Sequence, residues 1–241
     1  MKVNESYVKL GYAEAGVLYP FYIFLAQYPH WLVSGASGSG KSYALLYWLW
    51  SAIKSGVEVW IADAKDTGDF AGISEHYAVG ADCFELVSEF HAAFETVKLE
   101  GLSARRLLVF DEYAYFCSFL EGEDKGKYKE FQRMVREILM QGRFIGNGGG
   151  AWLWVVVQRP DADYFAKGAR LNFMVDICMG AVSRETKTMM FTNDIPEDYV
   201  PRSGRGVMEM DGNGNIIVFD IPKYDKKRMR NLLQSIGNAP K

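Results

Sequence analysis

The sequence predicts an α/β fold with a mainly parallel sheet and helices on both faces. Short, nearly continuous runs of apolar and β-branched residues alternate with segments of helical length, as they do in doubly wound folds. The chain has 241 residues, of which 49% are hydrophobic. This is enough for one large domain with a substantial core. A glycine-rich segment between the first strand and the first helix is the third observation, because such segments bind phosphate in this class.

The elements follow in order along the chain. The first strand is predicted at Trp31–Val33 and the first helix at Tyr43–Ile53. Further strands are predicted at Val57–Ala62, Arg106–Phe110, Trp152–Val157 and Met174–Met179. Further helices are predicted at Leu86–Lys98, Tyr128–Gly142 and Arg184–Phe191.

A β-hairpin is predicted near the C-terminus. The apolar runs Gly206–Met210 and Asn215–Asp220 flank the turn sequence Asp-Gly-Asn-Gly. We expect this hairpin to extend the edge of the sheet. The domain division that follows is an extension of residues 1–28 packed on a main domain of residues 29–221, with a basic C-terminal tail of residues 222–241.

The glycine-rich segment spans residues 35–42 and reads Gly-Ala-Ser-Gly-Ser-Gly-Lys-Ser, which matches the P-loop pattern G-x-x-x-x-G-K-[ST]. Its glycines let backbone amides turn inward and form, with the helix N-terminus, a nest for phosphate oxygens. We expect Lys41 to contact the β and γ phosphates and the Ser42 hydroxyl to ligate Mg²⁺. The predicted nucleotide-binding residues are Gly35, Ala36, Ser37, Gly38, Ser39, Gly40, Lys41, Ser42 and Tyr43. The motif therefore predicts an ATP site with Mg²⁺ as its metal.

Two adjacent carboxylates, Asp111 and Glu112, follow the apolar strand Arg106–Phe110. We expect Asp111 to hold the Mg²⁺ shell together with Ser42, and Glu112 to orient and polarise the attacking water. A small-molecule kinase needs no second carboxylate beside the first. The pair therefore favours ATP hydrolysis.

Other polar residues end the strands at the same edge, where ligands bind in open α/β sheets. Gln158 follows the strand Trp152–Val157, and its amide either contacts the γ-phosphate or the lytic water or makes an ordinary turn hydrogen bond. Asp63 and Lys65 follow the second strand, either as site residues or as a surface ion pair. An arginine from a neighbouring subunit completes the site in ring ATPases. The candidates for that role are Arg143, Arg170 and Arg184.

Several classes of protein are disfavoured. The longest apolar stretch, residues 17–33, is interrupted by polar residues and prolines and is no membrane span of about 18 to 20 residues. With no signal peptide at the N-terminus, we expect a cytoplasmic protein. Three widely spaced cysteines indicate neither a disulfide framework nor a zinc site. A net charge of −3 argues against a broad basic face. The basic tail is either a local nucleic-acid contact or a solvated helix.

In their order along the chain, these motifs resemble the motor domain of the FtsK/SpoIIIE DNA translocases, within the HerA/FtsK group of P-loop ATPases. The matching stretches are Pro29–Gly35, Asp63–Lys65, Leu108–Ala114, Gln141–Arg143, Gln158–Pro160, Ala169–Phe173 and Gly204–Gly206. The resemblance covers about residues 29–221. It implies ATP-driven movement of double-stranded DNA through a hexameric homo-oligomeric ring. The working residues that it implies are Lys41, Ser42, Asp111, Glu112 and Gln158.

The chain also departs from this family. We expect it to lack the membrane-spanning region, the linker and the winged-helix domain of that family. The position of a trans-acting arginine in some members aligns with Val175 or Asp176, which makes Arg170 a displaced candidate. The resemblance therefore points to a motor of a plasmid, conjugative element or phage that docks on a separate membrane-anchoring protein.

Two other interpretations stay open. One is a coupling or packaging ATPase that feeds single-stranded DNA or a nucleoprotein to a secretion channel. The other is a non-hydrolysing, ATP-gated assembly scaffold, which the presence of Glu112 disfavours.

Overall fold

The computed structural model describes residues 6–14, 17–165 and 168–237. The strands in these ranges are β1 (Tyr7–Glu14), β2 (Leu18–Phe24), β3 (Trp31–Ser34), β4 (Glu58–Asp63), β5 (His76–Val79), β6 (Arg105–Asp111), β7 (Gly150–Val156), β8 (Val175–Met179), β9 (Arg205–Met210) and β10 (Asn213–Asp220). The helices are α1 (Lys41–Lys54), α2 (Cys83–Glu100), α3 (Tyr113–Glu123), α4 (Lys125–Gln141), α5 (Arg184–Met190) and α6 (Lys226–Gly237). Every strand and helix predicted above is present.

Within the described ranges the strands form one sheet in the order β2-β1-β10-β9-β8-β3-β7-β6-β4-β5. Strands β3 to β8 run parallel, which confirms the predicted parallel sheet. Strand β7 lies between β3 and β6. The carboxyl end of β7 is therefore placed between the segment that follows β3 and the carboxylates that end β6.

The antiparallel part of the sheet is larger than the sequence predicts. The β9–β10 hairpin pairs with β8, as expected, but β10 also pairs with β1, and β1 pairs with β2. The hairpin therefore extends the parallel part of the sheet, as predicted, while β2 forms the outer edge on this side. The interrupted apolar stretch of residues 17–33 supplies both β2 and β3.

Helices cover both faces of the sheet, as predicted for this fold class. Helices α1 and α6 pack on one face, and α2, α3 and α4 pack on the other. The rings of Trp31 and Trp154 stack at 4.1 Å beneath α1, and Trp48 meets Trp31 edge-on at 5.6 Å. The Trp48 indole donates a hydrogen bond of 2.8 Å to the Leu10 carbonyl. Strands β1 and β2 form an N-terminal hairpin, which is thereby attached to α1, the helix that follows the P-loop.

The basic C-terminal segment forms α6, which packs along α1. Leu233 is fully buried, and Lys226 forms an ion pair of 2.8 Å with Asp69. Lys227 and Arg228 are exposed. Lys241, the last basic residue of the predicted tail, lies outside the described residues.

Across the described ranges, none of the helices is both long and apolar enough to cross a membrane.

Candidate nucleotide-binding and hydrolysis site

The P-loop connects β3 to α1 and is shaped by its glycines. Gly40 precedes the first turn of α1 with φ of 97°, a left-handed conformation that favours glycine. A Cβ atom on Gly40 would lie 2.7 Å from the Gly204 nitrogen, and one on Gly35 would lie 2.6 Å from the Met179 carbonyl oxygen. The Gly204 amide also donates a hydrogen bond of 3.1 Å to the Ser39 carbonyl. The segment before β9 therefore lies directly against the loop.

The Lys41 side chain lies inside this loop. Its ammonium donates to the carbonyl oxygens of Gly35 and Ala36, the latter at 3.2 Å, and the residue is only 9% exposed. Burial lowers the pKa of Lys41, while the charges of Glu112 and Asp111 oppose that shift. The ammonium therefore lies within electrostatic reach of both carboxylates that follow β6.

Asp111 ends β6 beside Asp63, which ends β4 at the same register. Burial raises the pKa of Asp111 to about 7, with further contributions from Glu112 and Asp63 and opposition from Lys41. One Asp63 carboxylate oxygen accepts hydrogen bonds of 2.9 Å from the amide and hydroxyl of Thr67. Its other oxygen is buried and meets no hydrogen-bond partner among the described residues. This concentration of buried negative charge suits a divalent cation.

Glu112 stands at the turn from β6 into α3. Its φ of 56° is left-handed, which is uncommon for a residue with a side chain and is found at functional turns. One carboxylate oxygen receives the Lys65 ammonium at 2.8 Å, and the other accepts the Gln158 amide at 3.1 Å. Three polar residues from the ends of β4, β6 and β7 thus meet at the carboxyl edge of the sheet.

Two cavities adjoin the P-loop. One, of about 440 Å³, is lined by loop residues, by Gln158 and its neighbours, and by the start of α5. The other, of about 570 Å³, lies beside Tyr43 at the beginning of α1. Tyr12 and Leu18 of the N-terminal hairpin line this second cavity. The sequence alone does not reveal Tyr12 and Leu18, because no motif marks residues whose place depends on strand pairing across the sheet.

The Tyr43 side chain packs against the C-terminal segment. Its ring stacks on Tyr224 at 3.9 Å, and its hydroxyl lies 3.2 Å from the Pro222 carbonyl. Its backbone amide belongs to the first turn of α1, where helix amides face a bound anion. Only the backbone amide of Tyr43 is therefore available to a bound phosphate.

The candidate arginines do not join this cluster. The Arg143 carbonyl accepts a hydrogen bond of 3.3 Å from the Trp152 indole, which places Arg143 at the amino end of β7, opposite Gln158. Arg170 precedes the amino end of β8, where burial lowers its pKa and Asp176 opposes that shift. Arg184 begins α5 and is exposed. A role for any of them at the site of a neighbouring subunit stays a prediction.

The residues present fit a magnesium–nucleoside triphosphate. The P-loop is packed too closely at Gly35 and Gly40 to admit a Cβ atom, and the buried Ser39 hydroxyl has no hydrogen-bond partner within the described ranges. Lys41 and the first turn of α1 offer positive charge and donors, while Ser42 and Asp111 carry oxygen atoms of the kind that could hold Mg²⁺.

No family model matches the chain. The chain is 27% identical to the FtsK domain-containing protein YdcQ of Bacillus subtilis (strain 168), in an alignment of 267 residues that covers 99% of the chain and 52% of YdcQ. It therefore spans about half the length of this curated relative. This similarity confirms the resemblance to FtsK-type domains.

Solved structures share the fold. The conjugation coupling protein TcpA of pCW3 with ATPγS aligns with a TM-score of 0.68 and 20% identity, over 95% of this chain and 70% of TcpA. EssC (ATPases 2 and 3) from Geobacillus thermodenitrificans aligns at 0.69 and 12% identity, over 98% of this chain and 50% of that chain. EccC (ATPases 2 and 3) of Thermomonospora curvata, in complex with a signal sequence peptide, aligns with a TM-score of 0.67 and 16% identity. That alignment covers 98% of this chain and 48% of the EccC chain. These alignments confirm the α/β fold of P-loop ATPases.

Proposed function

We propose that the chain is a Mg²⁺-dependent ATPase of the FtsK type whose turnover moves double-stranded DNA. The observation that carries this proposal is the meeting of Lys41, Asp111, Glu112 and Gln158 at one edge of the sheet. An ATP-binding protein without hydrolysis has no need of Glu112 in a left-handed conformation beside a sensor-like amide. The similarity to YdcQ and TcpA supports the same class of activity.

Each residue has a defined part in this proposal. Phosphate oxygens would replace the loop carbonyls as partners of the Lys41 ammonium, and the amides of residues 38–43 would donate to them. Ser42 and Asp111 would hold Mg²⁺, which neutralises charge on the β and γ phosphates when it is bound. Glu112 would orient the attacking water and accept its proton, because its carboxylate lies on the same edge as Lys41. Gln158 would contact the γ-phosphate or that water.

The base and ribose would occupy the cavity beside Tyr43. The cavity adjoins the first turn of α1, and its walls combine the apolar Leu18 and Pro222 with the polar Ser203. This mixture of apolar surface and a few polar groups is typical of small-molecule sites.

DNA would be contacted through exposed basic groups such as Lys227 and Arg228 of α6. In a hexameric ring, a few such groups from each subunit would suffice for binding to phosphates despite the net charge of −3. A separate membrane-anchoring protein would then place the ring at its channel. A trans-acting arginine, Arg143 or Arg170, would complete the site across the subunit boundary.

Replacement of Glu112 tests the proposed hydrolysis. Glu112→Gln should retain ATP binding while turnover falls at least about 100-fold, the smaller end of what a general base contributes. Glu121→Gln is the matched control, because Glu121 is an exposed residue of α3, the helix that follows Glu112. Parental turnover in the Glu112→Gln protein would contradict the proposal.

A second candidate function is a coupling ATPase that feeds single-stranded DNA or a protein substrate to a secretion channel. It is favoured by the fold shared with the conjugation coupling protein TcpA and with a type VII secretion ATPase, EccC. Turnover should be stimulated by duplex DNA if the first proposal is right, and by single strands alone if the second is right. ATP binding without turnover on either DNA would support a scaffold instead.

A further inference from the structure

The turn after β4 holds Lys65 in a fixed place. Asp63 accepts hydrogen bonds from both the amide and the hydroxyl of Thr67, and the Asp66 amide donates to the Asp63 carbonyl at 3.2 Å. Asp66 itself is left-handed, with φ of 50°. Lys65 lies within this closed turn, so its backbone position is set by the fold rather than by its own side chain.

From this turn, Lys65 neutralises the carboxylate of Glu112. The ammonium lies 2.8 Å from one oxygen, and the Gln158 amide lies 3.1 Å from the other. Each oxygen therefore already accepts a bond from a neighbouring side chain. A carboxylate whose two oxygens already accept bonds from neighbouring side chains has fewer lone pairs to offer a water than a free carboxylate has. Glu112 in this arrangement is restrained from its proposed task.

The other side of Lys65 faces solvent. Its side chain is 36% exposed, and its ammonium lies 5.2 Å from the centre of the Tyr115 ring, which is itself exposed. The charge of Lys65 also helps to lower the pKa of Lys41, so it lies near the P-loop. The ammonium can therefore be reached by an anionic partner from outside while it contacts Glu112.

We propose that Lys65 is a positioning residue that restrains Glu112, and that the phosphates of bound DNA release Glu112 by competing for Lys65. The inference deepens the proposed function and rests on it for the role of Glu112. An ion pair whose ammonium remains open to solvent is weak enough to be exchanged for a DNA phosphate. Coupling through one shared ammonium must be reciprocal, because whatever weakens its bond to Glu112 strengthens its bond to DNA.

An equilibrium experiment tests this competition without any hydrolysis. The affinity of the full chain for a short fluorescent DNA duplex is measured without nucleotide, over a series of salt concentrations. Glu112→Gln should tighten binding about fivefold, the factor that corresponds to an exposed ion pair of about 1 kcal/mol. Lys65→Gln should weaken binding and lower the slope of log affinity against log salt by about 0.9. The double variant should bind as Lys65→Gln alone does.

A kinetic experiment tests the restraint itself. Lys65→Gln should raise ATP turnover without DNA about fivefold, leave the KM for ATP unchanged, and reduce the stimulation by duplex DNA. Lys65→Arg should retain the parental values, because it restores the positive charge. Lys98→Gln is the matched control, since it removes a similarly exposed lysine from an ion pair with Glu95 on α2. A structural role alone would lower turnover with and without DNA.

Three results would overturn the inference: a parent chain that does not bind duplex DNA, additive effects in the double variant, or basal turnover that falls or is unchanged in Lys65→Gln. If the proposed function is wrong instead, the parent shows no ATP turnover on any DNA. The DNA affinities of the single and double variants would still show whether Glu112 and DNA compete for the Lys65 ammonium.

Discussion

Protonation of His30 is expected to destabilise the fold at acidic pH. His30 is 1% exposed, and its Nδ1 accepts a hydrogen bond of 3.1 Å from the Leu153 amide. No described residue offers a partner to its Nε2. Burial, together with the nearby Arg143 charge, lowers the pKa of His30 to about 3. The ring is therefore neutral in the folded protein at every ordinary pH.

The sign and size of this loss of stability follow from the pKa of His30 in the folded and the unfolded chain. An unfolded chain binds a proton at His30 below a pH of about 6.5, whereas the folded chain does so only below about 3. The stability that depends on the neutral ring is present above about 6.5 and is lost as the pH falls through this window. Each pH unit is worth about 1.4 kcal/mol, so the loss at about pH 5 is about 2 kcal/mol.

Urea unfolding at about pH 7.5 and pH 5 measures this loss. His30→Asn provides the reference, because an amide oxygen can still accept the hydrogen bond from Leu153. The parent should lose about 2 kcal/mol more than this variant between the two pH values. Comparison with the variant is essential, because burial raises the pKa of Asp111 and of Asp176 to about 7, and those shifts act with the opposite sign. An identical pH dependence in His30→Asn and the parent would refute this account of His30.

The remaining predictions concern the P-loop and α6. Gly40→Ala should weaken ATPγS binding at least about tenfold and cost about 1 to 3 kcal/mol in urea unfolding, because it adds a clash with Gly204 to a left-handed φ. Gly38→Ala, whose φ is 79° but whose Cβ would meet open space, should show only the smaller backbone cost, and an equal loss in both would contradict the clash. Neutralising Lys227 and Arg228 together should lower the salt slope of duplex binding by about 1.8 without changing stability; an unchanged slope would assign α6 a purely structural role.

The parallel core of the fold could be predicted because its strands are buried on both faces. Segments such as 152–157 and 174–179 are almost continuously apolar, and no other local structure explains them as well. The P-loop and the carboxylates of β6 were predictable for a different reason. Phosphate binding and metal binding require particular residues at fixed spacing, so their pattern survives in the sequence without knowledge of the fold.

Other elements could not be predicted because tertiary contacts decide them. Strand β5 has four half-buried residues, too few for a periodic signal. Helix α3 begins directly after Glu112 and is rich in aromatic residues, which on their own favour strands. Strand β1 depends on pairing with β10, more than 190 residues away in the chain, and β2 in turn pairs with β1. The contact between Lys65 and Glu112 likewise depends on the pairing of β4 with β6, the strands that these residues follow. From the sequence alone, Lys65 could be either a site residue or part of a surface ion pair.

Segments far from the P-loop motif are attached directly to the nucleotide site. The Gly204 amide before β9 donates to the Ser39 carbonyl, and Tyr224 before α6 stacks on Tyr43. The Leu10 carbonyl of the N-terminal hairpin accepts a hydrogen bond from the indole of Trp48, which lies on α1 as Tyr43 does. Phosphate bound at the P-loop would act on the backbone of Ser39 and Tyr43, which already hold two of these contacts. We therefore expect ATP occupancy to alter the positions of β9 and α6 first, which would let the exposed basic residues of α6 respond to the nucleotide state without a separate hinge.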